Sequence, residues 1–325
     1  MQSRLPLSSI AAALGLALTL ASHAASAQDS NPTVTVTQQG NGNTSYAEQT
    51  LSDYPIRNVT ATITQTGDNN HVGGPGSTTD GILQLNTGGN VSAVVRQTGA
   101  GNNAGIAQID VTAPIFPVTG EITQVGSGNT ATLRQLREYD LGAVLVQNGN
   151  GNRAAVEQQE SNLGTARTTQ TGNDNRATIS QRGTAYWGMS ITQEGDGNVA
   201  SEVAENTTFG VPRIEQSGTA NYAGTLQTST ESVSLYIRQV GSDNRAEASQ
   251  SSGAGHAIDI GQNGIGNVAL VSQTGTSTGT FGTGNSAIIA QLGNSNTAIV
   301  RQVGQYYVAN VSQTGSGNYT NISQH

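Results

Sequence analysis

Carboxamide side chains recur in this chain at a fixed spacing, and the chemistry open to a carboxamide is hydrogen bonding in two directions at once. Twelve times the same skeleton returns: Gln, one residue, Gly, two residues, Asn, one residue, a small residue, three residues, Gln. The units open at Gln38, Gln65, Gln97, Gln124, Gln147, Gln170, Gln193, Gln216, Gln239, Gln262, Gln291 and Gln313, and the seven from Gln124 to Gln262 lie 23 residues apart without slippage. Stacked in register at ~4.8 Å, each amide lies over the same residue of the next unit and can donate one way while accepting the other. A carboxylate could not. The ladder residues expected on this ground include Gln124, Asn129 and Gln135, then Gln147, Asn152 and Gln158, Gln170, Asn175 and Gln181, and Gln239, Asn244 and Gln250. Gly126, Gly149, Gly172, Gly195, Gly218, Gly241 and Gly264 mark the turn between the two halves of each unit.

Proton transfer and metal chemistry need clustered groups instead. After the N-terminal segment the chain has only His71, His256 and His325, each isolated, with no cysteine and no acidic pair that stands out. No catalytic residue, metal site or cofactor is expected. Calcium-binding glycine-rich repeats also stack, but here the aspartates shift between the third position after the opening glutamine (Asp68, Asp196) and the fourth (Asp174, Asp243), so a ligand set would not repeat. Threonine rows at Thr33, Thr35, Thr37 and Thr60, Thr62, Thr64, which suggest an ice-binding or adhesive surface, do not continue into later units.

The elements that must hold these amides follow from parity, because side chains alternate along a strand. Two residues before the opening glutamine an aliphatic stands in eleven of twelve units, from Val36 and Ile63 to Ile289 and Val311, with Thr168 the exception. The glutamine therefore shares its face with a buried stripe. After the turn the inward positions are Asn at +5, the small residue at +7, an often apolar residue at +9 and Gln at +11. Charges obey the parity: Arg96, Arg238, Glu215, Glu194, Arg134, Glu157, Arg301, Glu48 and Glu247 all fall on outward positions, and Glu202 alone falls inward. The expected fold is all-β, a β-solenoid or cross-β stack of about twelve strand-arch-strand rungs with two facing parallel in-register sheets, roughly 58 Å tall. Residues 73–81 read as a loop inserted into the second unit, which makes Gln84 its displaced closing glutamine, and the seventh unit closes on Ala204. Residues 110–118 and 274–285 read as loops on the rim.

Composition sets the context. Residues 1–27, with Arg4, an apolar run from Ile10 to Leu20 and an Ala25-Ser26-Ala27 end, have the parts of a cleaved secretory signal peptide, the cut expected between Ala27 and Gln28. The apolar run is short of the ~20 residues a membrane span requires, so no membrane span is expected. Residues 28–37 form a short leader and first strand, and 38–325 the repeats. Without Arg4 the chain carries 12 Arg and no Lys against 21 Asp plus Glu, a balance that disfavours nucleic acid. Absent cysteines suit export in an unfolded state.

The tandem Gln-x-Gly-x-x-Asn-x-Ala-x-x-x-Gln pattern behind such a leader resembles curlin, the subunit of the curli functional amyloid of Gram-negative bacteria. The resemblance runs from Gln38 to Gln324. The last unit, Gln313, Gly315, Asn318, Thr320 and Gln324, looks like the end of the major subunit, and no basic final unit of the nucleating kind is present. Familiar members carry fewer units and a longer leader. The resemblance implies a secreted, self-assembling extracellular fibre on the cell surface, serving biofilm matrix, adhesion and surface colonisation. It also implies a nucleator subunit, an outer-membrane secretion pore and periplasmic chaperones as partners. The residues alone add that regular rungs at both ends leave open strand edges. Gln38, Asn43 and Gln49 at one end and Gln313, Asn318 and Gln324 at the other are the expected polymerisation interface, with Val36 and Val311 as its apolar part. The alternative is a monomeric, capped solenoid that binds a surface ligand or acts as an adhesin.

Overall fold

A one-sided apolar stripe in every unit leaves the chain no way to bury itself except by stacking unit on unit. The structure, a computed structural model, describes residues 16–18, 32–53, 57–74, 78–138, 142–185, 188–275 and 284–325. The expected cleavage site at Ala27, residues 28–31 of the leader, and residues 75–77 and 276–283 of two expected loops lie outside the described residues. The described part is all-β: a parallel solenoid of twelve turns with no helix. The fifth rung shows the plan, an opening strand Gly142–Asn150, a tight arch, and a return strand Arg153–Gln159. Each strand pairs in parallel with the equivalent strand of the rungs on either side, so Gln147 lies beside Gln124 and Gln170, and Gln158 beside Gln135 and Gln181. The register never slips along the opening glutamines, including across the uneven units, where Gln65 meets Gln97 and Gln262 meets Gln291. Gln84 pairs with Gln49 on one side and Gln108 on the other, in the place of the second unit's closing glutamine.

The inward faces of the two sheets form one continuous core. Ile63, Val95, Ile122, Leu145, Ile191, Ile214, Ile237, Ile260 and Ile289 are buried from the opening strands, and Ala131, Leu133, Ala154, Val156, Ala177 and Ile179 face them from the return strands. Each fully buried aliphatic contributes about 1.5–3 kcal/mol, so the column gains its stability by repetition. None of the nine outward charges is buried, whereas Glu202 is wholly buried. Ion pairs such as Arg134 with Glu157 at 3.4 Å link neighbouring rungs on the outer face, where exposure makes them weak.

The segment 110–118 departs from the expected rim loop. Thr112–Ser127 is one strand, as is Ile82–Ala100, which runs unbroken from the second return arm into the third opening arm. Val111, Ala113 and Val118 are buried together with Val59 and Val91, with Leu51 partly buried against them, as a second, smaller core outside the main one. Enough aliphatic side chains fall at matching heights in these connections that burying them outweighs looping out. The connections of later rungs stack as well: Asn162, Ala185, Thr208 and Glu231 form a row of parallel bridges at the second corner.

Candidate assembly interface

The opening glutamines form eleven consecutive side-chain bonds, Nε2 of one rung to Oε1 of the next, from Gln38 to Gln313 at 2.6–2.9 Å. The second amide proton of each goes elsewhere. Gln147 gives it to the Thr130 carbonyl and Gln170 to the Arg153 carbonyl, both on the return arm of the preceding rung, so the ladder also ties the two sheets together. The asparagines run the opposite way. Asn152 donates through both its backbone N–H and its Nδ2 to Oδ1 of Asn129, and its remaining proton to the Gly172 carbonyl of the following rung. Asn175 and Asn244 repeat this arrangement with Asn152 and Asn221. Buried amides left unpaired would each cost about 1–3 kcal/mol. In these rows nearly every proton has an acceptor.

The arch explains the fixed glycine. Gly149 has φ +128, and a Cβ there would collide with the carbonyl oxygen of Gly172; Gly126, Gly172, Gly195, Gly218, Gly241 and Gly264 meet the carbonyl of the next rung's glycine in the same way. The arch aspartates take part too, since Oδ1 of Asp196 accepts from the backbone N–H of Asn173 at 2.8 Å and Oδ1 of Asp68 from that of Asn41 at 2.8 Å.

At the ends the rows stop with unused valences, and the two ends are not alike. On the last rung, with no further glutamine to meet, Nε2 of Gln313 turns to Oγ1 of Thr320 and to the Thr297 carbonyl, and Nε2 of Gln324 to the Val308 carbonyl. Asn318 is exposed and Gln324 half-buried, although Asn296 and Gln302 one rung above are fully buried. On the first rung the glutamines give their protons inward, Gln38 to Gln65 and Gln49 to Gln84, which leaves their Oε1 atoms on the outer side. Oε1 of Gln49 is buried and has no hydrogen bond. Asn43 spends its side-chain protons on Gly67 and Gln39 and offers its backbone N–H. Val34 and Val36 at the first rung and Ile322 at the last are only partly buried, whereas Val311 is already buried within the chain, so at the last rung the apolar stripe is open on the return strand alone. The last rung thus ends in glutamine N–H groups, that of the buried Gln313 held by Thr320, and an asparagine acceptor, and the first ends in glutamine acceptors and an asparagine donor. One edge is not bare: Leu16–Leu18, inside the expected signal peptide, pairs in parallel with Ser45–Ala47 of the first return strand. Parity and spacing give no sign of this polarity, because a glutamine in a sequence has no orientation.

The closing ladder has one break. It runs from Gln49 to Gln181, stops at Ala204, and resumes from Gln227 to Gln324. Oε1 of Gln227 is left buried without a partner beside a cavity of about 10 Å³ lined by Gln181, Ala204, Met189 and Thr207. Ala204→Gln is expected to join the two halves of the ladder and to stabilise the column by about 1–2 kcal/mol, two bonds at 0.5–1.5 each less the repacking of neighbours. Chemical denaturation measures this, and a loss of stability would show that the neighbours have closed over the slot.

Burial perturbs two histidines, the Tyr236 hydroxyl and three carboxyls, of which Asp259 is raised by burial alone. Glu138 accepts from the backbone N–H of Ser161 at 3.1 Å, and burial, with a smaller push from Glu160, lifts its carboxyl to about 8. Glu202 is raised well above the usual carboxylate range by burial. Burial lowers His71, beside Thr44, and also His256, whose Nδ1 accepts from the backbone N–H of Asn285. These groups stand apart from one another, and among the described residues no three metal-ligating side chains gather. No helix among the described residues is long and apolar enough to cross a membrane.

The family model described as "Curlin associated repeat" matches residues 281–304, the stretch that holds Gln291, Gly293, Asn296 and Gln302 of the eleventh rung. No curated protein matches the chain. The match spans one rung; the other rungs carry the same residues in the same register, so the chain is similar to curlin-repeat proteins along its solenoid.

Proposed function

We propose that this chain is the secreted structural subunit of an extracellular, curli-type fibre of a Gram-negative bacterium, and that subunits add head to tail. The observation that carries the reading is the complementarity of the two ends. Set one rung spacing apart, Nε2 of Gln313 meets Oε1 of Gln38, Nε2 of Gln324 meets Oε1 of Gln49, and Oδ1 of Asn318 receives the N–H of Asn43. Head-to-head contact would bring acceptor against acceptor. Val36 and Val311 continue the buried stripe across the joint. Signal-peptide removal takes away the strand Leu16–Leu18 and frees the first return edge for the next subunit. The fibre then serves as matrix and adhesive surface, and a nucleator, a secretion pore and periplasmic chaperones are the partners that likeness to curlin suggests. That same pairing of Leu16–Leu18 favours a second reading, a capped monomeric solenoid whose outer face binds a ligand.

Dilution of the chain from Gln28 out of denaturant, followed by thioflavin fluorescence with and without seed and by fibre diffraction, separates the two. Seedable growth with reflections at ~4.8 Å and ~10 Å is expected. A β-rich monomer that never grows would sink the fibre reading. Replacing Gln313 and Asn318 together by Ala removes about three bonds from the joint, at roughly 0.5–1.5 kcal/mol each, and should slow elongation tenfold or more. The same pair of changes at Gln193 and Asn198 lowers stability but leaves elongation by folded ends nearly unchanged. Equal slowing at both places would mean that the terminal rungs are not the joint.

A further inference from the structure

Nine buried side-chain polar atoms among the described residues lack a hydrogen bond, and six of them fall on three consecutive rungs: Oγ1 of Thr168, both carboxyl oxygens of Glu202, Oε1 of Gln227, and Oγ1 of Thr225 and Thr230. Elsewhere the ladders leave almost nothing unpaired, so this concentration is local and centred on the seventh rung. Its return strand, Val199–Glu205, departs from the pattern at both inward positions that matter. Glu202 stands in register between Ile179 and Thr225, in the row that supplies Leu133, Val156 and Val300 to the core. Two residues on, Ala204 interrupts the amide ladder between Gln181 and Gln227.

We propose that the seventh rung is a proton-gated seam: Val199–Glu205 docks on its neighbours while Glu202 is neutral, and loss of that proton parts the column into a block ending at Arg182 and a block beginning at Tyr222. The surroundings of Glu202 offer no other way to carry its charge. The return strands on either side present Ile179 and Thr225, with Ala177, Gln181, Ala223 and Gln227 as their other inward residues. The facing opening strands present Thr168, Ile191 and Ile214. None of these titrates. The charges of the same strands, Arg167, Arg176, Arg182, Glu194, Asp196, Glu205, Arg213, Glu215 and Glu231, are not buried. A carboxylate taken out of water without a cation, and with only the poorly aligned backbone of Ser190 and Ile214 near it, is costlier than the neutral acid.

Burial raises the carboxyl well above its ordinary value of 4.5, and the backbone of Ser190 and Ile214 offsets only part of that. The folded strand therefore holds a proton that the opened strand releases. Stability from the neutral acid is fully present below 4.5 and is lost as pH rises toward the folded value, about tenfold in the closing equilibrium per pH unit. Glu138, at the second corner of the fourth rung, and Asp259, on the opening strand of the tenth, shift in the same direction, so a global melting curve would mix the three and the readout must be local.

Hydrogen–deuterium exchange of the refolded chain, read by mass spectrometry across a pH series and corrected for intrinsic rates, gives such a readout. Protection of residues 199–205 relative to 153–159 is expected to fall about tenfold per pH unit above 4.5, and to become independent of pH in Glu202→Gln. Glu202→Ile, which repeats Ile179 one rung earlier, gives the same flat profile if the amide variant folds poorly. Parallel pH profiles for the two segments in the unaltered chain, or a pH dependence that survives in both variants, would overturn the seam.

Discussion

Gly149→Ala is expected to cost about 4 kcal/mol or more and to break the column at its fifth rung, whereas Gly315→Ala costs only about 1–3. Both glycines hold a φ that side chains rarely adopt, +128 and +106, so backbone strain is common to the pair. Space is not. A Cβ at Gly149 collides with the carbonyl oxygen of Gly172, an atom fixed by the ladder bond from Asn152, while the nearest atom to a Cβ at Gly315 is Nδ2 of Asn318 at 3.7 Å. Relieving the first collision means widening a strand spacing that backbone bonds and three amide rows hold in common. Thermal unfolding of the two variants under conditions that keep the chain monomeric measures the difference. Equal losses would show that φ strain alone sets the need for glycine. Under the proposed head-to-tail joint, Gly315→Ala would in addition meet the incoming carbonyl of Gly40 and block growth.

Ile237→Asp should be as damaging, and its neighbour Arg238→Asp nearly silent. Ile237 is fully buried, in register between Ile214 and Ile260, with no cation on any inward position nearby. The substitution removes a core side chain and leaves a charge unpaired in its place, together more than about 4 kcal/mol. Arg238 is exposed one residue later on the same strand, and a change there should stay within about 0.5 kcal/mol. Urea denaturation of both variants settles the matter. Similar losses would mean that the faces of the opening strands are assigned the wrong way round.

That pair of neighbours shows why so much of the fold could be read from residue order. In a stack, one inward or outward assignment is tested twelve times, and the aliphatic two residues before each glutamine answers the same way in all but the Thr168 unit. Gln84 was recoverable despite its displacement because an amide must land opposite an amide. The second corner was not. Arg137, Glu160, Gly183, Asn206, Ser229 and Ser252 lie 23 residues apart and all take φ between 51 and 59, yet five are not glycine. There the stacking imposes the backbone, and the side chain, free to point outward, carries no signature. The small core of Val59, Val91, Val111, Ala113 and Val118 escaped for a related reason: its members come from connections of unequal length, so no common period links them. The terminal residues could be named from the sequence, but their complementarity depends on which way each amide faces, and only the hydrogen-bond geometry carries that.

The direction of those amides has a consequence for symmetry. An end that offers glutamine protons and an end that offers glutamine oxygens cannot be exchanged by a two-fold axis, so copies joined through them meet by a heterologous interface, not an isologous one. Under the proposed head-to-tail joint each added copy would be related to the last by a step along the column axis, an operation that never returns to its start. No ring closes and no dimer is self-satisfied. Length would then be set by the supply of subunits rather than by geometry, and the two tips of such an assembly would be chemically distinct surfaces.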